Sequence, residues 1–211
     1  SHGATRHGGT KGGTLAWRQQ GGNNLPCHRG PRAQLAANRR GASSLEQFAA
    51  ETGSERLLGL MDRVLDQGEA LVRRRIADCS PGSASMDIDD GGSIVVSVRP
   101  VADTLHVDFT GTSEGSLGNG NAPPAVTRAA LLYVLRCLVD DSIPRNDGCL
   151  RCVRLTIPPD SLLSPRPGLA VAGGNVETSQ LVVDALLAAM NMLSASQGTM
   201  NNFVMGDATR S

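Results

Sequence analysis

LAVAGGNVETSQLVVDALLAAMNML, residues 169–193, holds three textures in 25 residues. Leu169 to Ala172 is short and apolar and fits a strand. Gly173-Gly174 breaks it, and Val176 to Leu193 reads as a strong buried helix, with Asn175 placed to cap its start. A strand that turns through glycines into a buried helix points unpaired backbone N–H groups at whatever approaches the helix start, so an anion or a carbonyl oxygen could bind there. The alternative reading is ordinary capping.

The same alternation of strand and helix patterns extends in both directions. Toward the N-terminus, Leu150 to Ile157 alternates apolar and polar residues, then Pro158-Pro159 and Pro165-Arg166-Pro167 bracket a rigid connection. Ala122 to Val139 starts with two prolines, tolerated in a first helical turn, and is apolar nearly all round, so a buried helix is expected. Ser93 to Val98 and Thr104 to Phe109 alternate with the two-residue period of paired strands, the first preceded by the turn Asp89-Asp90-Gly91-Gly92. Cys79 to Ser85 reads as a break. Before it, Ser54 to Asp78 carries an apolar stripe through Leu57, Leu58, Met61, Leu65, Val72 and Ile76, with Ser54 as N-cap, and Pro31 to Ala50 forms a further helix. The fold class is α+β: an antiparallel strand pair and short strands packed with buried helices, in an incomplete domain.

Composition narrows function. The 211 residues are 40% hydrophobic, enough for a core, but only 2% aromatic, so base-stacking surfaces are not expected. Net charge is zero, yet residues 1–45 hold seven basic residues and no acid, which leaves the remainder acidic. That charge is thinly spread among glycines without a helical register, and nucleic-acid binding is not expected. Residues 1–30 cannot bury enough surface to offset the entropy of ordering and read as a disordered Gly/Arg-rich head, with residues 31–211 as one domain. The longest apolar run, Leu181 to Leu193, includes Asp184 and Asn191 and is too short to cross a bilayer. Five cysteines without a secretory segment fit reduced thiols in a cytoplasmic protein.

Three places could carry chemistry. Asn175, Glu177 and Thr178 put polar atoms in the first turn after Gly174, with Gln180 close behind, and Glu is favoured there by the helix dipole. Ser194-Ala195-Ser196-Gln197-Gly198-Thr199-Met200-Asn201-Asn202 gathers three carboxamides and three hydroxyls, groups that hold an amide or steady an oxyanion without adding charge. His106, Asp108 and Thr110 share a strand face, but the other three histidines lie in the head, so a three-His zinc site is not available and no metal is expected. The run Asp87-Ile88-Asp89-Asp90-Gly91 resembles the start of a calcium loop but has Val98 where the bidentate Glu should be, and reads as a turn. Cys149-Leu150-Arg151-Cys152 is a lone CxxC, and neither GxxxxGK nor GxGxxG occurs.

QLAANRRG at 34–41, HVDFTGT at 106–112, NAPPAVTRAALLYVLRCLVDDSIPRNDGCL at 121–150, GGNVETSQ at 173–180 and SASQGTMNN at 194–202 together resemble, in order, the hydantoinase B/oxoprolinase family over about residues 32–207. The resemblance implies part of an ATP-dependent hydrolase that opens 5-oxoproline or a hydantoin ring, with acetone carboxylase-type chemistry or a remnant keeping only assembly surfaces as alternatives. It implies a partner subunit or domain of the hydantoinase A type, a small cyclic amide as substrate, and an oligomer. ATP and a divalent metal are implied as well, both bound outside this chain, because the family's His- and Asp-containing stretch upstream of the QLAANRRG-like segment has no counterpart in residues 1–30. On this reading Glu177 transfers protons, and Asn175, Asn201 and Asn202 contact the reacting group. Thr178, Gln180, Gln197, Gly198, Thr199 and Asp108 hold substrate.

Overall fold

A computed structural model of the chain describes residues 29–89, 91–139, 146–192, 196, 198 and 199. The expected disordered head falls almost wholly outside these residues. The chain divides after Leu57 into two compact units.

In the first unit, helix α1 (Arg29–Thr52) ends at Gly53, which adopts φ +90°, a conformation open to glycine at little cost. Gly53 N donates to Ala49 O at 2.8 Å, so the chain turns without leaving the last carbonyls of α1 bare. Leu35, Leu45 and Phe48 on α1 are about half exposed.

Helix α2 (Ser54–Ile76) begins beside this break and carries most of its length into the second unit. Along its apolar stripe Leu57 is buried in the first turn and Val72 and Ile76 are fully covered at the C-terminal end, whereas Leu58 is 62% and Met61 49% exposed. The expected core-facing stripe is therefore interrupted by exposed positions at Leu58 and Met61. The C-terminal half is held by the single-turn 3-10 helix Asp147–Leu150: Asn146 Nδ2 donates to Val64 O at 3.0 Å, and Arg151 pairs with Asp66 at 2.8 Å.

The sheet has strand order β1 (Gly82–Asp87), β2 (Ser93–Val101), β3 (Thr104–Asp108), β4 (Val153–Thr156), the first two pairings antiparallel and the last parallel. Alternate residues of β2 and β3, namely Ile94, Val96, Val98, Leu105 and Val107, are buried on one face. Helix α4 (Glu177–Ala189) packs on β1 and β2, and helix α3 (Pro124–Leu138) packs on α4. Leu131, Leu135, Val182 and Leu186 join Phe109 in a single apolar cluster between them. This mixed sheet with helices on it is the α+β class expected.

Three local expectations need correction. Residues 82–87 form β1 rather than a break. Gly82 fits against the end of α4, where an added Cβ would meet Ala189 O at 2.1 Å. Leu169 to Ala172 is not a strand, because its backbone is satisfied by asparagine side chains: Ala170 O accepts from Asn121 Nδ2 at 2.8 Å, and Ala172 N donates to Asn119 Oδ1 at 3.0 Å. Asn175 does not cap α4. It lies in a short 3-10 turn, Gly173–Asn175, and Val176 takes the cap position without a side-chain bond.

A candidate substrate cavity at the start of helix α4

The start of α4 is set by two asparagines far away in sequence. Asn121 is fully buried and uses every polar atom: Oδ1 accepts from Ser116 N at 2.8 Å, and Nδ2 lies within bonding distance of the carbonyls of Ser116, Gly118 and Ala170. Asn119 O accepts from Gly173 N at 3.0 Å, next to the Ala172 bond of its side chain. Thr178 is buried and its hydroxyl donates to Gly120 O. Residues 116–122 are thus stapled to the turn 170–178. The staple also explains Gly174, at which a Cβ would stand 2.1 Å from Asn121 O.

Beside this staple lies a cavity of about 460 Å³, within the size range of small-ligand sites. Its walls come from four places. The β1–β2 turn gives Asp87, Ile88 and Asp89; the staple gives Gly120; the first turn of α4 gives Glu177, Thr178, Gln180 and Leu181. Gly198 and Thr199 complete it. The β1–β2 turn is tight because Gly91 and Gly92 take φ of +88° and +105° and Ile88 N donates to Gly92 O at 3.0 Å. This is the turn expected from the incomplete calcium-loop pattern.

The segment carrying Gly198 and Thr199 is held against α4 by side chains. Gln180 Nε2 donates to Asp184 Oδ1 at 3.1 Å and to Ser196 Oγ at 3.0 Å, Ser196 Oγ donates to Asp184 Oδ2 at 2.9 Å, and Gly198 N donates to Ser196 Oγ at 3.0 Å.

Of the site residues expected from sequence, Glu177, Thr178, Gln180, Gly198 and Thr199 line this one cavity. Asn175 does not. It opens on a separate groove of about 180 Å³ between α3 and α4, with Tyr133 and Ser179. Asp108 is absent from the cavity too, its carboxylate being engaged by Thr110 N at 2.8 Å and Thr110 Oγ1 at 2.6 Å. Those bonds from Thr110, side chain first, favour the ionised form and hold the Asp108 carboxyl below its ordinary range. Gln197, Asn201 and Asn202 lie outside the described residues. Sequence reasoning did not place Asp87, Asp89, Asn121 or Asp184 at the site, and it named Ser196 only as one hydroxyl of the 194–202 loop. The density of Gly and Asn in SLGNGNAPP, residues 116–124, was the available signal for Asn121.

The cavity chemistry is hydrogen bonding plus carboxylates. Asp87, Asp89 and Glu177 surround it, but among the described residues no group of three or more His, Cys, Asp or Glu is disposed to hold a metal ion, so the donor set here does not fit a divalent cation. Nor does the chain carry a nucleotide-phosphate loop motif. Cys149 and Cys152 are buried, and that burial pushes both thiols above their ordinary range, the opposite of what a reactive thiolate needs. Among the described residues no helix is long and apolar enough to cross a membrane.

Comparison with known proteins agrees with this architecture. In solved structures, the ATP-dependent caprolactamase of Pseudomonas jessenii superposes with a TM-score of 0.67 at 19% identity, over 79% of this chain and 31% of that one. A nucleotide-free acetone carboxylase superposes with a TM-score of 0.55 at 16% identity, over 71% of this chain and 22% of that one. At such identities the likeness concerns the fold. In sequence, the chain is 42% identical over 195 residues to 5-oxoprolinase 1 of Arabidopsis thaliana, covering 84% of this chain and 15% of that protein. It is 39% identical over 183 residues to 5-oxoprolinase of Saccharomyces cerevisiae, covering 83% of this chain and 14% of that protein. The chain therefore spans about one-seventh of the length of these relatives. The sequence profile described as hydantoinase B/oxoprolinase matches residues 29–211, and with these relatives it establishes that the chain belongs to the hydantoinase B/oxoprolinase family.

Proposed function

We propose that this chain supplies one wall of the reaction cleft in an ATP-dependent enzyme that hydrolyses a cyclic amide, 5-oxoproline or a hydantoin. The observation that carries the reading is the convergence of Glu177, Gln180, Gly198 and Thr199 on one cavity at the start of a buried helix. A lactam carbonyl is deactivated by its nitrogen, and ATP, used by a companion subunit or domain of the hydantoinase A type, transfers its terminal phosphoryl group to the amide oxygen and leaves as ADP. Water then adds to the activated carbon, the C–N bond breaks as the ring nitrogen takes a proton, and a second water hydrolyses the resulting acyl phosphate to carboxylate and phosphate. Glu177 is the group of the cavity suited to take the proton from water and return it to nitrogen. The hydroxyl and the backbone N–H of Thr199 are the groups suited to orient the ring. Asn201, Asn202 and Gln197 remain candidates for the same duty, from beyond the described residues.

The experiment is direct. The chain is combined with a hydantoinase A-type partner, ATP and 5-oxoproline, and glutamate and ADP are measured. Equimolar release of both supports the reading; no release, where a full-length relative is active under the same conditions, removes it. Replacing 5-oxoproline by acetone and bicarbonate distinguishes the carboxylase alternative.

A second reading has its own observation. Leu58 and Met61 stand exposed on α2 in continuity with a buried stripe, which is the form an assembly surface takes. A chain that only assembles, as part of an oligomer, would bind the partner and release neither product.

A further inference from the structure

Asp184 lies seven residues after Glu177, so both project from the same side of α4, Glu177 at the cavity and Asp184 two turns deeper. It is only 5% exposed, and among the described residues its carboxylate faces no cation within ion-pair distance. Burying a carboxylate is costly unless neutral donors solvate it. Here they do: Gln180 Nε2 reaches one oxygen at 3.1 Å and Ser196 Oγ the other at 2.9 Å. Ser196 Oγ in turn accepts from Gly198 N at 3.0 Å. Gly198 has φ +75°, a conformation that other residues rarely adopt. The chain of bonds therefore runs from a rigid helix to the backbone segment that closes the cavity.

We propose that Asp184 is the positioning residue of this cavity, fixing Gly198 and Thr199 in the cavity wall at the start of α4 through Ser196. Capping does not account for Asp184, which sits in the third turn of the helix and bonds to a segment twelve residues away. The inference deepens the proposed function, and its catalytic consequence rests on that reading; its geometric content does not.

The test has two arms. In the first, backbone hydrogen exchange is followed in the wild-type chain and in Asp184→Ala, Ser196→Ala and the double variant. Ser196 is exposed, so its replacement tests the link even if Asp184→Ala fails to fold. Loss of one charge-assisted bond is expected to raise exchange at Gly198 and Thr199 about tenfold, with Ile94 and Val96 of β2 unchanged. The double variant should match Ser196→Ala, since both break one chain of bonds. Unchanged exchange at Gly198 and Thr199 in Ser196→Ala overturns the proposal, as does an equal rise at Ile94 and Val96.

In the second arm, turnover of 5-oxoproline is measured in the enzyme assembled with its partner. A fall in kcat of about tenfold in Ser196→Ala with KM within about twofold, restored by Ser196→Thr, is the signature of lost positioning rather than lost stability. Raised exchange at Gly198 and Thr199 with unaltered kcat upholds the geometric link and removes the proposed function instead.

Discussion

Gly174→Ala is predicted to be among the most damaging single-methyl changes in the chain. The added Cβ would stand 2.1 Å from Asn121 O, 2.7 Å from Asn121 C and 2.9 Å from Ala122 Cα, all backbone atoms that no rotamer change can move. Ordinary contact begins near 3.4 Å, so the turn and the staple must separate by more than about 1 Å. Overpacking of this kind costs about 1–3 kcal/mol, and losing the bond from Thr178 to Gly120 O adds about 1 kcal/mol. A total near 3 kcal/mol lowers the melting temperature by about 6–12 °C for a unit of this size. Gly59→Ala is the control. It lies inside α2 with nothing within 4 Å of the new methyl, so replacing a helical glycine should stabilise by about 0.5–1 kcal/mol. Thermal or urea denaturation of both variants reads the difference. A Gly174→Ala protein within about 0.5 kcal/mol of wild type would refute the stapled geometry on which the cavity depends.

Asn121→Ala removes a buried carboxamide that solvates one amide and three carbonyls, and should cost about 3 kcal/mol in urea denaturation, far more than replacement of an exposed asparagine. Leu131→Ala, in the centre of α3 and fully buried, should cost about 2–5 kcal/mol by the same measurement. The Asp108 carboxyl is depressed by Thr110, so the stability it contributes is present above its unfolded value of about 3.9 and is lost as pH falls through the folded value. Thr110→Val should move the carboxyl titration of Asp108, followed by NMR, upward toward that ordinary value. Exposed Cys137 should be alkylated at neutral pH well before Cys149 and Cys152, whose raised thiols should react only on unfolding; equal rates, read by mass spectrometry, would contradict their burial.

The parts of the fold that follow from local periodicity were legible in the sequence. Pro123-Pro124 marked the start of α3, Ser54 the start of α2, and the alternation of β2 and β3 gave the central hairpin. What local pattern missed depends on partners distant in the chain. Residues 82–87, GSASMD, have no β-branched residue, and they become β1 only because β2 offers an edge from Ser93 to Val98. Leu169 to Ala172 has strand composition but spends its backbone bonds on Asn119 and Asn121, some fifty residues earlier. The same cause divides the site. Glu177, Thr178, Gln180, Gly198 and Thr199 were found because helix starts and polar loops announce themselves, whereas Asp87 and Asp89 reach the cavity only through the pairing of β1 with β2. Asn175 was misplaced because an extra 3-10 turn before α4 rotates it toward α3. Asp184 looked like one polar interruption in an apolar run, and its partner Ser196 is visible only when the chain folds back.

The central claim is that the start of α4 forms a reacting surface in a cyclic-amide hydrolase, and Glu177→Gln in the assembled ATP-dependent enzyme tests it most directly. The variant keeps the size of the side chain and its place on the cavity wall but cannot accept a proton. The account predicts that 5-oxoproline turnover falls by about 100-fold or more while the melting temperature stays within a degree or two of wild type. Turnover within about twofold of wild type, in a variant that assembles and binds ATP normally, would contradict it.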